Sequence, residues 1–216
     1  RDYEEMQLAL TEAAAENDDV LLEKYFEQGY LSREDMIHGI RKGIFNINVI
    51  PVMAGSASQN KGVINLMNEI VKYLPEAEER AEQPATDLTK DTVVGIRCDA
   101  AGPFAAQVFK TSVDAFVGKM NYIRICRGVL KPGMTVLNPN TNTTERISAV
   151  YTVRGKKLEP VPELGAGDLG AVNKLANTGT GDTLCDESAP VMFDPIPFHK
   201  PVLYMAVYAA VRGTED

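Results

Sequence analysis

Short β-type runs separated by turn residues fill the chain beyond Thr92, and this pattern constrains the fold more than any other feature. The runs are rich in β-branched and aromatic residues. We predict strands at Val93–Cys98, Ala106–Lys110, Lys119–Cys126, Met134–Leu137, Arg146–Val153 and Leu169–Asn173. Turn sequences such as Lys131-Pro132-Gly133 stand between them, and no stretch with helical periodicity interrupts the series. The pattern predicts a closed antiparallel β-barrel of about six strands or more over residues 93–199.

Residues 1–75 show helical periodicity instead. Asp18 or Asp19 can cap a helix that runs through Phe26, and Ser32 with Asp35 resembles a capping box. From Val63 to Leu74 the apolar residues follow helical spacing until Pro75 stops them. The β-branched run 48–53 predicts a short buried strand before that helix, so residues 1–75 have the order that ends an α/β unit.

Charge and proline content divide the chain further. Residues 1–87 hold 8 Lys and Arg against 17 Asp and Glu, whereas residues 88–216 hold 14 against 13. The acidic, proline-containing residues 76–92 predict an inter-domain linker, and Pro201–Tyr208 predicts the first strand of a truncated domain over 200–216. The predicted fold class is therefore multi-domain, α/β followed by all-β.

Several functions are disfavoured by the residues. The segment from Gly55 to Gly62 has a Lys at phosphate-loop spacing, but Asn60 and Gly62 replace the second Gly and the Ser/Thr of that motif. Gly165–Gly170 satisfies a dinucleotide-binding pattern only literally, because a strand-and-turn region surrounds it; we predict a structural turn. Three separated cysteines predict reduced thiols in or near the core rather than a metal site. A membrane-spanning run and a signal peptide are both lacking, which favours a cytoplasmic protein.

Four motifs in order resemble the second domain of bacterial elongation factor G, a translational GTPase. They are Phe104–Thr111, Phe116–Lys119, Arg124–Gly133 and Gly181–Asp186. Upstream, Gly55-Ser56-Ala57 with Asn60–Val63 resembles the loop that closes the GTPase domain of that family around guanine. The resemblance implies a fragment: the tail of a GTP-binding domain with inserted helices, then a translation-factor β-barrel.

The resemblance also implies a function and a site. The parent would be a ribosome-dependent GTPase that promotes translocation of tRNA and mRNA, with GTP and magnesium bound elsewhere in it. Gly55, Ser56 and Ala57 would form the guanine edge. The barrel would contact small-subunit ribosomal RNA, and neighbouring ribosomal proteins, through basic residues. The candidates on an expected Gly118–Gly133 hairpin are Lys119, Arg124, Arg127 and Lys131, and those of a second cluster are Arg154, Lys156 and Lys157.

The motifs that hydrolyse GTP do not occur in these 216 residues. We therefore expect no catalytic residue, no resident metal and no bound nucleotide in these residues. The expectation that the parent protein is a GTPase rests on the resemblance alone. Two alternatives remain open at this point. One is a related translational GTPase, such as a paralogue or a ribosomal protection protein, and the other is a non-catalytic RNA-binding barrel.

Overall fold

A computed structural model describes residues 2–79, 82–114, 118–155, 157–206, 208 and 210. The chain divides into two compact units, Arg1–Arg80 and Ala81–Asp216. We refer to them as the helical unit and the barrel unit.

The helical unit contains the helices that local sequence signals predict. They are α1 (Asp2–Ala15), α2 (Asp19–Gln28), α3 (Arg33–Phe45) and α4 (Val63–Tyr73). The Asp18 carboxylate accepts hydrogen bonds from Val20 and Leu21 N–H and caps α2. A hydrogen bond from Lys42 lowers the pKa of Asp18 to about 2. The capping box of α3 is confirmed, because Ser32 and Asp35 bond reciprocally.

The prediction of a strand over residues 48–53 is wrong. This segment is irregular, and Ile50 and Val52 are exposed. A strand needs a neighbouring ladder to satisfy its backbone groups, and within the described residues of the helical unit no other strand is available. For the same reason the apolar stripe of α4 stays uncovered, and none of its residues is buried.

The barrel unit is built from short antiparallel strands. The first seven are β1 (Gln83–Asp87), β2 (Thr92–Ile96), β3 (Ala105–Asp114), β4 (Gly118–Arg127), β5 (Val129–Leu130), β6 (Thr135–Asn138) and β7 (Thr143–Arg146). The remaining six are β8 (Val150–Arg154), β9 (Lys157–Val161), β10 (Leu164–Gly165), β11 (Leu169–Asn173), β12 (Thr183–Cys185) and β13 (Val191–Phe193).

Three sheets surround two apolar cores. An eight-stranded sheet has the order β7-β6-β12-β3-β4-β11-β8-β9, and the other two are β13-β1-β2 and β10-β5. The larger core contains Val108, Ile123, Leu130 and Leu184, and the smaller one contains Cys126, Cys185 and Phe193. The predicted fold class, a partial α/β portion followed by an antiparallel β-barrel, is confirmed. The closed ladder is not observed, since β7 and β9 are unpaired sheet ends within the described residues.

Two boundary predictions need correction. The linker expected over 76–92 contains β1, which pairs with β2 and β13 and belongs to the barrel unit. Pro84 is tolerated in β1 because pairing with β13 begins only at Ala85. The strand expected at 201–208 is not formed over residues 201–206, and the rest of 200–216 lies almost wholly outside the described residues.

The turn interpretation of Gly165–Gly170 agrees with the structure. Gly165 ends β10, Asp168 accepts a hydrogen bond from Gly165 N–H at 2.8 Å, and Gly170 starts the buried part of β11. A Cβ at Gly170 would lie 2.8 Å from the backbone carbonyl oxygen of Tyr151, so this position favours glycine.

Candidate functional site

The Gly55 loop, residues 54–62, is a tight exposed turn immediately before α4. Ser56 and Lys61 form an isolated antiparallel bridge, with Ser56 N–H donating to the Lys61 carbonyl at 3.0 Å and Lys61 N–H returning a bond at 2.9 Å. A Cβ at Gly55 would lie 2.9 Å from the Lys61 carbonyl oxygen. Gly55 therefore lets the two arms of the loop approach closely.

This geometry changes what the loop can offer a ligand. The resemblance implies a guanine edge at Gly55, Ser56 and Ala57, where small side chains would leave backbone N–H groups open to a guanine carbonyl. The Ser56 N–H, however, is already used within the loop. The Ala57 N–H has no acceptor among the described residues. The N–H groups of Ser58 and Gln59 likewise have no acceptor among the described residues, so the loop presents several backbone donors beside small side chains, which suits an edge contact to a planar base.

The basic residues predicted between Gly118 and Gly133 are not carried on a hairpin. Lys119, Arg124 and Arg127 lie on β4, whose partners are β3 and β11, whereas Lys131 follows β5. β5 pairs with β10 in a different sheet. The predicted Gly118–Gly133 hairpin is therefore wrong, because β5 pairs with β10 and does not fold back on β4.

Arg124 is half-buried and is oriented by neutral groups. Its Nη2 donates to Gln83 Oε1 at 3.1 Å, and Gln83 Nε2 lies 3.4 Å from Gln107 Oε1. No carboxylate among the described residues forms an ion pair with Arg124. The glutamines hold the guanidinium in place and leave its positive charge uncompensated.

Lys119 and Arg127 are bound to backbone carbonyls. Lys119 Nζ donates to Ala176 O at 3.1 Å, and Arg127 Nε donates to Pro103 O at 2.8 Å. Arg127 also borders a cavity of about 360 Å³ between Pro103 and Pro190. Like Arg124, both have neutral partners in the part of the chain that the structure describes, so no carboxylate there compensates their charge.

The other predicted cations have carboxylate partners or cannot be placed. Lys131 Nζ lies 2.8 Å from Glu163 Oε2, and Arg154 Nη2 lies 3.2 Å from Glu159 Oε2. Lys157 is exposed at the start of β9, and Lys156 lies outside the described residues. Because surface ion pairs contribute little energy, they do not immobilise these side chains, but they reduce the local positive potential.

Three residues beside Arg124 were missed by the sequence analysis. β3 has an extra residue opposite β4, since Val108 pairs with Ile123 and Lys110 with Tyr122, which leaves Phe109 in a β-bulge. The Phe109 and Tyr122 ring centroids are 6.4 Å apart, and Lys110 Nζ lies 5.4 Å from the Tyr122 centroid. Alternation along a strand cannot reveal this arrangement, because a bulge breaks the alternation.

In the part of the chain that the structure describes, neither a metal-binding cluster nor a membrane-spanning helix is found. Across the described residues, no group of three or more His, Cys, Asp or Glu side chains is placed to hold a metal ion. Within the same residues, every helix is too short or too polar to span a bilayer. Cys126 and Cys185 are buried as predicted, and burial raises the pKa of the Cys185 thiol.

The family model described as elongation factor G domain 2 matches residues 103–187. The chain is also similar to a protein from Thermus thermophilus of known crystal structure, with 30% identity and a TM-score of 0.67. That similarity covers 86% of this chain and 26% of the Thermus protein, so this chain spans about a quarter of its length.

The sequence comparison concerns the barrel unit. Residues 103–187 are similar to a translation-factor domain, domain 2 of elongation factor G. The structural similarity extends beyond this domain, because 86% of the chain is more than the residues that the family model matches.

Proposed function

We propose that these 216 residues are part of a cytoplasmic, ribosome-dependent GTPase of the elongation factor G type, which promotes translocation of tRNA and mRNA. The single observation that carries the proposal is the match of residues 103–187 to domain 2 of that factor. The Gly55 loop supports it, because it leads directly into a helix and presents a backbone donor at an exposed edge.

Within this proposal the chain is a structural and ribosome-contacting part. GTP and magnesium belong to the parent protein, and the Gly55 loop supplies only the guanine edge of that site. The described residues do not fit the remainder of the ligand, since they lack a metal-ligand group and a phosphate-cradling loop. Accordingly, no chemical step is assigned to this chain.

The barrel unit would bind small-subunit ribosomal RNA through Lys119, Arg124 and Arg127. The support is electrostatic: these three cations have neutral partners, whereas Lys131 and Arg154 are paired with glutamates. Cations that neutralise phosphates release counterions, so binding should weaken steeply as salt rises.

Co-sedimentation of the 216-residue chain with small ribosomal subunits tests this assignment. Replacing Lys119, Arg124 and Arg127 together by Gln should make the plot of log affinity against log salt shallower by about 2 to 3, close to one unit per lost phosphate contact. The matched control replaces three cations that already have carboxylate partners, Arg97, Lys131 and Arg154. If both triple variants change the slope equally, β4 does not carry the contact.

A further inference from the structure

The outer face of β3 and β4 places two aromatic rings beside Lys110 and Arg124, and the function proposed above assigns no role to the rings. We infer that Phe109, Lys110, Tyr122 and Arg124, here called the aromatic–basic patch, bind unpaired RNA nucleotides by stacking bases on the rings. The inference rests on the proposed RNA contact of the barrel unit, and it specifies which form of RNA that contact takes.

The β-bulge creates the patch. Phe109 has no partner of its own on β4, so Phe109 and Lys110 both stand opposite Tyr122. The two rings are tilted by 46° with centroids 6.4 Å apart, and the ammonium group of Lys110 stands 5.4 Å from the Tyr122 centroid. Arg124 follows Tyr122 by two residues on the same face of β4, about 7 Å further along the strand.

Exposure argues for an external partner. Phe109 is 42% exposed, although the strand that carries it is fully buried at Val108. Leu169, directly opposite Arg124 on β11, is 62% exposed. An apolar surface rimmed by polar and charged groups is typical of a binding site rather than of a solvated sheet face.

Charge selects the class of partner. Lys110 and Arg124 form no ion pair with a carboxylate in the described part of the chain, and Gln83 orients Arg124 without neutralising it. Two cations within reach of the rings suit a ligand that offers a phosphate beside each flat base, which is a single-stranded nucleic acid.

Other anionic partners fit less well. Duplex RNA presents phosphates, but its bases are stacked on each other and cannot reach the rings. An acidic peptide would use the cations and gain nothing from an aromatic surface. Dependence on the rings therefore distinguishes unpaired RNA from both.

The chain contains no tryptophan, which permits a direct optical test. In the 216-residue chain, Phe109→Trp preserves a stacking ring and introduces a single reporter. Titration with an oligoadenylate of about eight nucleotides should quench its fluorescence, because a base stacks against the indole. Phe198→Trp is the control, since Phe198 is also exposed in the barrel unit and lies outside the patch; its emission should not change.

Affinity provides the second readout. Phe109→Leu keeps the position apolar and removes the ring, and it should weaken oligoadenylate binding about tenfold. Binding of a duplex RNA should stay at the wild-type value, as should oligoadenylate binding by Phe198→Leu. Equal affinity of Phe109→Leu and wild type for oligoadenylate would overturn the inference, and so would competition by oligoglutamate as effective as that by oligoadenylate.

The outcomes separate this inference from the proposed function. If Phe109→Leu changes nothing while the Lys119, Arg124 and Arg127 variant loses ribosome binding, the patch assignment fails and the ribosomal assignment stands. If oligoadenylate quenches Phe109→Trp but small subunits do not bind the chain, the patch is a nucleic-acid site and the ribosomal assignment fails.

Discussion

Replacement of Thr178 by Val should destabilise the barrel unit without changing its packing volume. The buried Thr178 hydroxyl donates to Glu145 Oε2 and accepts from Asn138 Nδ2 at 3.2 Å. Glu145 also accepts from Asn177 N–H at 3.0 Å, so its carboxylate is held between a side chain and the backbone of the loop after β11.

The expected loss of stability follows from the hydrogen bond that the substitution removes. Val is close to Thr in shape, so no cavity forms, but Glu145 Oε2 becomes a buried charged oxygen without its donor. Loss of a hydrogen bond to a charged group costs about 1.5–3 kcal/mol. Asn138 Nδ2 keeps a second acceptor, Asp182 Oδ2 at 2.9 Å, so little is added on that side. We expect a loss of about 2 kcal/mol, or a fall of about 1 M in the urea midpoint.

Pulse-labelling hydrogen exchange in urea can follow the peptide that covers β6 and β7, which reports the barrel unit alone. Thr180→Val is the matched control, because Thr180 is exposed in the same loop and its substitution should cost less than about 0.5 kcal/mol. Equal midpoints for the two variants would refute the role assigned to the buried network.

Two further predictions concern a glycine and the nucleotide. Gly128 has a φ of 75°, and a Cβ there would lie 2.7 Å from Phe104 Cα, so Gly128→Ala should lower stability by more than about 2 kcal/mol in thermal unfolding. At Gly133 no atom lies within 4 Å of an added Cβ, so Gly133→Ala should lower stability by only about 1 kcal/mol, because alanine disfavours the left-handed backbone conformation. Equal losses of stability in the two variants would contradict the steric argument. Calorimetry of the 216-residue chain with GTP and magnesium should detect no binding, whereas micromolar affinity would show that phosphate contacts reside in these residues.

Local signals predicted the helices and most of the six expected strands, but the strand expected at Arg146–Val153 is interrupted, because β7 ends at Arg146 and β8 begins at Val150. Asp18 and Ser32 begin their helices through bonds to the next few residues, which the sequence displays directly. The prediction of a strand at residues 48–53 failed because a strand forms only when a partner strand, distant in sequence, is present. β1 was missed because Pro84 and its acidic neighbours resemble a linker, although Pro84 lies where no bond to β13 is needed.

The residues of the candidate RNA-binding surface could be predicted only in part from the sequence, for a related reason. The basic residues of β4 are visible in the sequence, but the glutamates that pair with Lys131 and Arg154 lie next to β10 and on β9. The position of Phe109 beside Tyr122 depends on a bulge that no periodicity reveals. Contacts between strands therefore decide which cations are paired with a carboxylate.

Site-directed photocrosslinking tests most directly whether the barrel unit faces ribosomal RNA. Benzoylphenylalanine in place of Leu169 lies opposite Arg124 on an exposed part of β11, and the same group in place of Val93 on β2 is the control. With small ribosomal subunits at low salt, position 169 should crosslink to ribosomal RNA in much higher yield than position 93. Equal yields at the two positions, or crosslinks from position 169 to ribosomal proteins alone, would contradict the assignment of this face to RNA.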